Sequence, residues 1–305
     1  MSLSDIRSYL GYKRRYIKYL QQSKKLDKMT LREKEEYLNN LYRPIFGTNI
    51  NFENPTRFYE KIQVSKLYGR DNEIKAKLSD KYEVRDYIKS KIGEKYLVPL
   101  IGVYDSFNEI NFDKLPSKFV IKCNHDSGSV TIVRDKYKVN WKKLKYKYDF
   151  CLKVDYSKAM MENHYSLIKP KIIIEKLLTK SNDEIANDYK FLCIKGEPYY
   201  CWAIEDRFLN RNRIIYDMNW NIVDWDCNGI SEKAIPKPKN FDVMKNLAKR
   251  LSEDFQQVRV DFYNIDGKIY FGELTFTPMS GLEFINPDID IRCGKLWDEA
   301  LSNKL

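Results

Sequence analysis

The residues with the clearest chemical capacity lie between Val258 and Pro278, V-R-V-D-F-Y-N-I-D-G-K-I-Y-F-G-E-L-T-F-T-P. Two β-branched and aromatic runs flank Asp266-Gly267, which is a hairpin signal. A two-residue loop there would place Asp261 and Glu273 on opposite faces. A three-residue loop, Ile265 to Gly267 with Gly267 left-handed, pairs Asn264 with Lys268 and gives the other parity. Because a one-residue slip exchanges the faces, the register that separates apolar from polar is preferred. It lines one face with Val258, Val260, Phe262, Tyr270, Gly272, Leu274 and Phe276. Arg259, Asp261, Tyr263, Glu273, Thr275 and Thr277 take the other, with Ile269 and Phe271 nearer the turn. Two carboxylates on facing strands suit Mg²⁺, which takes hard oxygen ligands completed by phosphate and water. A solvated sheet face is the competing explanation.

Residues further upstream favour the chemical one. Lys122 is embedded in the strand-like F-V-I-K-C-N (119–124), and a lysine half-buried in a strand wants an anionic partner. The strand runs into H-D-S-G-S (125–129), and Val130 to Val133 returns as a second strand. Backbone N–H groups of a flap at Ser127, Gly128 and Ser129 can cradle phosphate; an ordinary turn is the alternative. His125 beside the flap is a proton-transfer residue, a phosphate or substrate contact, or a loop histidine. Lys190 heads a second apolar strand, D-Y-K-F-L-C-I (188–194). Lysines along a phosphate chain neutralise charge during phosphoryl transfer. Arg259 and Arg207 are candidates to pair bidentately with a carboxylate substrate.

These groups need strands and helices to position them. Helical spacing of Ile6, Tyr9, Leu10, Tyr16, Ile17 and Leu20 predicts a helix, and Thr30 with Glu33 forms a capping box opening a second through Leu41. Pro44 punctuates a loop. Helices are expected over 57–67 and 73–92, a strand over 97–103, and a helical segment over 141–153. A buried strand spans 171–178, with Glu175 and Lys176 in its later half. Strands follow at 188–194 and 199–204, and an amphipathic helix at 241–255 leads into the hairpin. The expected organisation is a basic helical segment (1–50), an α/β region (51–116), a lobe with the flap (117–178) and a lobe with the hairpin (179–305).

At 305 residues with 43% apolar content, the chain can bury a core, which argues against disorder. Its net charge is +11, and residues 1–50 hold eleven Lys/Arg against five Asp/Glu. Such a patch meets nucleic acid, anionic lipid or an acidic polymer. No zinc-finger, RNP or helix-turn-helix signature accompanies it, so sequence-specific nucleic-acid binding is not expected. The first helix packs with a solvated basic face or lies at a lipid interface. Six Cys lack a C-x-x-C pair and two His are too few for a Cys/His zinc site, so free buried thiols at Cys123 and Cys193 in a reducing cytoplasm are expected. No leader or membrane-length apolar run is evident.

Taken together, the ordered elements resemble the ATP-grasp superfamily and, within it, the TupA-like (teichuronopeptide-biosynthesis) family. The resemblance rests on F-x-x-P-x-x-F-x-E-K-I at 52–62, D-K-Y-x-V-R-x-Y at 80–87, K-C-N-H-x-S-G-S at 122–129, D-Y-K-F at 188–191 and the hairpin motif at 259–278. It covers roughly residues 50–282. It implies an α+β ATP-grasp fold of two lobes clamping nucleotide, with an N-terminal helical extension. Lys122 and Lys190 would contact ATP phosphates under the Ser127-Gly128-Ser129 flap. Glu175, Lys176, Leu177 and Leu178 would form the strand whose backbone reads adenine. Asp261 and Glu273 would hold Mg²⁺, with Thr275 where most ATP-grasp enzymes carry Asn. The implied reaction is an ADP-forming carboxylate–amine ligation through an acyl-phosphate. A sugar uronic acid and an amino acid or amine, free or on a lipid-linked or polymeric glycan of a capsule or O-antigen, are the implied partners.

The rival reading is a metal-dependent glycosyltransferase using Asp224 and Asp226, a D-x-D. Such a short motif needs its structural context.

Overall fold

The computed structural model describes residues 3–180, 184–205, 212–229 and 233–302. The helices are α1 (Leu3–Asp27), α2 (Leu31–Phe46), α3 (Phe58–Tyr68), α4 (Asn72–Ser79), α5 (Val84–Lys91), α6 (Trp141–Cys151), α7 (Phe241–Ser252) and α8 (Pro287–Ser302). The strands are β1 (Leu100–Tyr104), β2 (Phe119–Cys123), β3 (Thr131–Val133), β4 (Ile172–Lys176) and β5 (Asn187–Ile194). They continue with β6 (Glu197–Glu205), β7 (Asn212–Asp217), β8 (Gln257–Ile265) and β9 (Lys268–Thr275). The chain forms two compact units: residues 1–34, 71–84 and 98–177, and residues 35–70, 85–97 and 178–305.

The first unit is built on an antiparallel sheet of order β1-β4-β2-β3. Ile172, Ile173 and Ile174 of β4 are all buried, as a strand covered on both faces requires. Pairing of Ile121 with Ile174 and Cys123 with Ile172 sets the face that packs on Leu144 and Tyr148 of α6. Val120, Lys122, Ile173 and Glu175 occupy the opposite face. α1 lies along α6, with Tyr9 against Tyr146 and Tyr12 against Phe150 at ring-centroid distances of 5.4 and 5.6 Å.

The second unit is built on an antiparallel sheet of order β7-β6-β5-β8-β9. α7 covers one face, where Phe191, Phe241 and Phe262 are all buried. Lys190 pairs with Asp261 and with Trp202, and Leu192 with Arg259, so these residues share the other face. Glu60 fastens the start of α3 by accepting the Asn51, Thr56 and Arg57 amides, and Lys61 donates to the Pro55 carbonyl. The F-x-x-P-x-x-F-x-E-K-I text is therefore a helix-entry clasp.

Several sequence expectations shift here. The capping box at Thr30 and Glu33 forms, with Glu33 accepting the Thr30 amide at 2.7 Å. Pro44 does not end α2, which runs on to Phe46. The helix expected over 73–92 is two helices, because the Asp80 carboxylate accepts the Tyr82 and Glu83 amides and turns the chain between α4 and α5. β7 and α8 were not anticipated. No helix among the described residues is long and apolar enough to cross a membrane.

Candidate active site

In the hairpin, Asp266 (φ 48°) and Gly267 (φ 88°) are both left-handed, the requirement of a two-residue loop. Asn264 supports the turn by accepting the Gly267 amide. Ile265 pairs with Lys268, so the three-residue loop is incorrect. Asp261 and Glu273 nevertheless face each other, because a bulge shifts the register between Asp261 and Phe262. Gly272 is the extra residue, and a Cβ there would lie 3.1 Å from the Asp261 carbonyl oxygen. Beyond the bulge the parity is reversed relative to the expectation: Ile269 and Phe271 pair beside Asn264 and Phe262 on the apolar face, and Tyr270 shares the face of Tyr263.

The polar wall is a connected charge network. Arg259 grips Asp261 with two nitrogens, Nε to Oδ1 at 2.7 Å and Nη2 to Oδ2 at 2.8 Å. The same Nη2 donates to Glu273 Oε1 at 3.0 Å and Thr275 Oγ1 at 3.1 Å. Lys190 adds its ammonium to Asp261 from the neighbouring strand. The Asp261 side chain is 4% exposed, whereas that of Glu273 is 34% exposed. A carboxylate sealed that far from water requires cationic, hydrogen-bonded partners, and Asp261 has two. Arg259, expected to bind substrate, is thereby committed to the wall itself.

The donor set fits Mg²⁺: two carboxylates and a hydroxyl are hard oxygens on one surface, with Glu273 the accessible member. Asp261, Glu273 and Thr275 are the residues that would hold the ion, with Asp261 shared between it and the two cations.

In the first unit, Lys122 Nζ lies 2.6 Å from Glu175 Oε2, and both side chains are under 10% exposed. The anionic partner demanded by a strand-borne lysine is thus a carboxylate of the chain itself. Glu175 reaches Lys122 diagonally, since Lys122 pairs with Ile173 and Val120 with Glu175. The Lys176 side chain is exposed, its amide donates to the Pro99 carbonyl, and Leu177 is buried.

The flap divides into a tip and a base. Ser127 and Gly128 are exposed, with Gly128 at φ 124°. Ser129 is buried; its hydroxyl accepts the Cys123 amide at 2.7 Å and donates to Asp126 at 2.5 Å. That hydroxyl therefore shapes the loop, and the tip is its exposed part. His125 is buried against the Cys151 carbonyl, Nε2 to oxygen 3.2 Å, and burial pushes its pKa down. Sequence reasoning missed the residues that hold this base. Asn124 donates to Asp80 at 2.8 Å and accepts the Lys171 amide at 2.7 Å, while Lys81 donates to the Asp126 carbonyl at 2.6 Å. Asp80 and Lys81 open the D-K-Y motif, whose polar residues were the available signal.

Arg207 lies outside the described residues. In the D-x-D, Asp224 and Asp226 accept the Gly229 and Asn228 amides, and Trp225 between them is buried against Tyr200 and Trp202. The motif turns the chain and anchors an indole.

No curated protein was found to be similar in sequence. Among solved structures, the D-alanine–D-alanine ligase of Helicobacter pylori matches 75% of this chain and 59% of its own at 18% identity and a TM-score of 0.41. The D-alanine–D-alanine ligase of Bacillus anthracis, complexed with ATP, matches 78% and 66% at 16% identity and 0.39. The L-amino acid ligase of Bacillus licheniformis matches 73% and 50% at 12% identity and 0.46. The chain thus spans half to two thirds of the length of these proteins. The sequence model of TupA-like ATP-grasp proteins matches residues 60–297, starting later than the motifs implied and running further, into α8. On that match over most of its length, the chain belongs to the TupA-like ATP-grasp family.

Proposed function

We propose that the protein is an ATP-dependent carboxylate–amine ligase. The observation that carries this reading is the cross-strand pair of Asp261 and Glu273 with Lys190 on the same wall. Bound Mg²⁺ would neutralise phosphate oxygens and orient the nucleotide. The chain's own residues do the remainder. Arg259 holds the Asp261 carboxylate in place, and Glu273 is the more exposed of the two carboxylates. Lys190 is placed to exchange its carboxylate partner for phosphate, because Asp261 keeps Arg259 when the lysine moves. Within the first unit, Lys122 and the tip at Ser127 and Gly128 are the groups suited to donate to phosphate.

In the reaction, a substrate carboxylate oxygen attacks the γ-phosphorus and the bond to the ADP oxygen breaks, giving an acyl phosphate. An amine nitrogen then attacks the acyl carbon, the carbon–oxygen bond to phosphate breaks, and the nitrogen releases a proton to water. The products are amide, ADP and phosphate. We infer a sugar uronic acid joined to an amino acid or amine in surface-polysaccharide assembly, on the motifs shared with the TupA-like group. Leu10, Ile17 and Leu20 are exposed along α1 beside Lys13 and Arg14, which suits an anionic lipid surface carrying a glycan acceptor.

The test is a screen for coupled ADP and phosphate release, pairing sugar acids with amino acids and amino alcohols. ADP released only when acid and amine are both present, with amide detected by mass, supports the reading. Stabilisation by a UDP-sugar with Mg²⁺, and none by ATP, overturns it.

A further inference from the structure

The base of the flap holds a cluster that the ligase chemistry does not use. Cys123 at the end of β2, Asp126 in the flap and Cys151 at the end of α6 bring two sulfurs and a carboxylate oxygen within 4.8 Å of one another. We propose that these three side chains form a binding site for a thiophilic divalent cation of the zinc class, tying the base of the flap to the end of α6.

The geometry needs little adjustment. Tetrahedral coordination at zinc–sulfur distances of about 2.3 Å and zinc–oxygen distances of about 2.0–2.2 Å brings ligand atoms to about 3.5–3.8 Å from one another. Three protein ligands leave a fourth position for water. The ligands are held from outside, as metal ligands commonly are. Ser129 donates to Asp126 Oδ1 at 2.5 Å, leaving the carboxylate's other oxygen for the ion. The Cys123 amide is fixed on the Ser129 hydroxyl, and His125 Nε2 rests on the Cys151 carbonyl. Asp126 and Cys151 line a cleft with Tyr12, Arg15 and Lys147, so the cluster has an entry route.

Charge also favours occupancy. Two thiolates and a carboxylate around a divalent ion leave one net negative charge, which Lys147 and Arg15 offset. Lys147 keeps that place by donating to the Val130 carbonyl and the Thr131 hydroxyl. Both sulfurs bind as thiolates, so occupancy displaces their protons to water. The pattern escapes a search for paired cysteines because the second sulfur comes 28 residues after the first, on a helix.

The proposal concerns the flap base and stands apart from the reaction. The test is a titration of the full-length, reduced protein with Co²⁺, read as thiolate-to-cobalt charge-transfer absorption, followed by displacement with Zn²⁺. One equivalent is expected to give the band, and Zn²⁺ to abolish it. Cys151→Ser, at a half-buried position, is expected to lose the band while keeping its circular dichroism. Asp126→Asn is expected to bind at least about tenfold more weakly. Cys227→Ser, at an exposed cysteine remote in sequence, is expected to bind as the parent does. No band with the parent protein, or a band that survives in Cys151→Ser, overturns the proposal. So does an unreduced protein whose mass is lower by two hydrogens through a Cys123–Cys151 disulfide that reductant cannot open to a metal-binding form.

Discussion

The two units each place a lysine and a carboxylate together on one face of an antiparallel sheet, yet the two pairs are built differently. Lys122 and Glu175 meet diagonally and are nearly sealed from water. Lys190 and Asp261 stand directly opposite each other, and Arg259 joins Asp261 to Glu273 and Thr275. The comparison teaches that a lysine in a strand acquires different freedom according to what else holds its partner. Asp261 keeps a bidentate guanidinium if Lys190 departs, so that lysine can be lent to a substrate. Lys122 and Glu175 are both nearly sealed from water, so separating this pair disturbs two desolvated charges at once.

The largest expected effect tests that asymmetry. Lys122→Met is expected to lower unfolding free energy by about 3–5 kcal/mol in urea titrations, with Glu175→Leu added to it restoring most of the loss. Lys190→Met is expected to cost clearly less; equal losses would break the comparison. Next in size, Glu273→Gln is expected to reduce Mg²⁺-dependent ADP release by about 10²–10³-fold, with an unchanged melting temperature because the residue faces outward. Loss of folding instead would mean that Glu273 belongs to the core.

A third carboxylate, held by a backbone amide, sharpens the contrast. Asp290 is fully buried, accepts the Tyr59 amide at 3.0 Å, and is pushed up to about 6 by burial. Since the folded state holds this proton more tightly than the unfolded state, stability falls as pH rises from about 4 to about 6 and is level above that. Asp290→Asn is therefore expected to stabilise the protein at pH 8 by up to about 3 kcal/mol, the equivalent of about two pKa units. The gain should vanish near pH 4, as followed by denaturant midpoints at the two pH values. The smallest effect concerns the bulge: Gly272→Ala is expected to cost about 1–2 kcal/mol in thermal unfolding, because the new methyl presses on the Asp261 carbonyl.

Much of the architecture was legible because it is written in local patterns. The strand at Ile172–Ile174, the amphipathic α7 and the Thr30–Glu33 box follow from hydrophobic periodicity and capping chemistry. The break between α4 and α5 was not, since Asp80 in mid-pattern looks like a solvated residue until its carboxylate turns back on the Tyr82 and Glu83 amides. Arg259 illustrates the same limit at the site: its residue type announced carboxylate binding, but the carboxylate it binds lies two positions along its own strand.

The sequence by itself determined which groups would do chemistry: the paired acids, the strand-borne lysines, the Gly-containing flap and the Asp-Gly turn. Tertiary structure alone decided how they face one another. A two-residue turn on its own sets Asp261 and Glu273 on opposite sides, and a bulge at Gly272 returns them to one. Those two shifts cancel in the alternation pattern, so side-chain order cannot distinguish them from a longer turn; only the backbone pairing does. The meeting of Lys122 with Glu175 likewise depends on strand register across distant segments, which local periodicity does not encode.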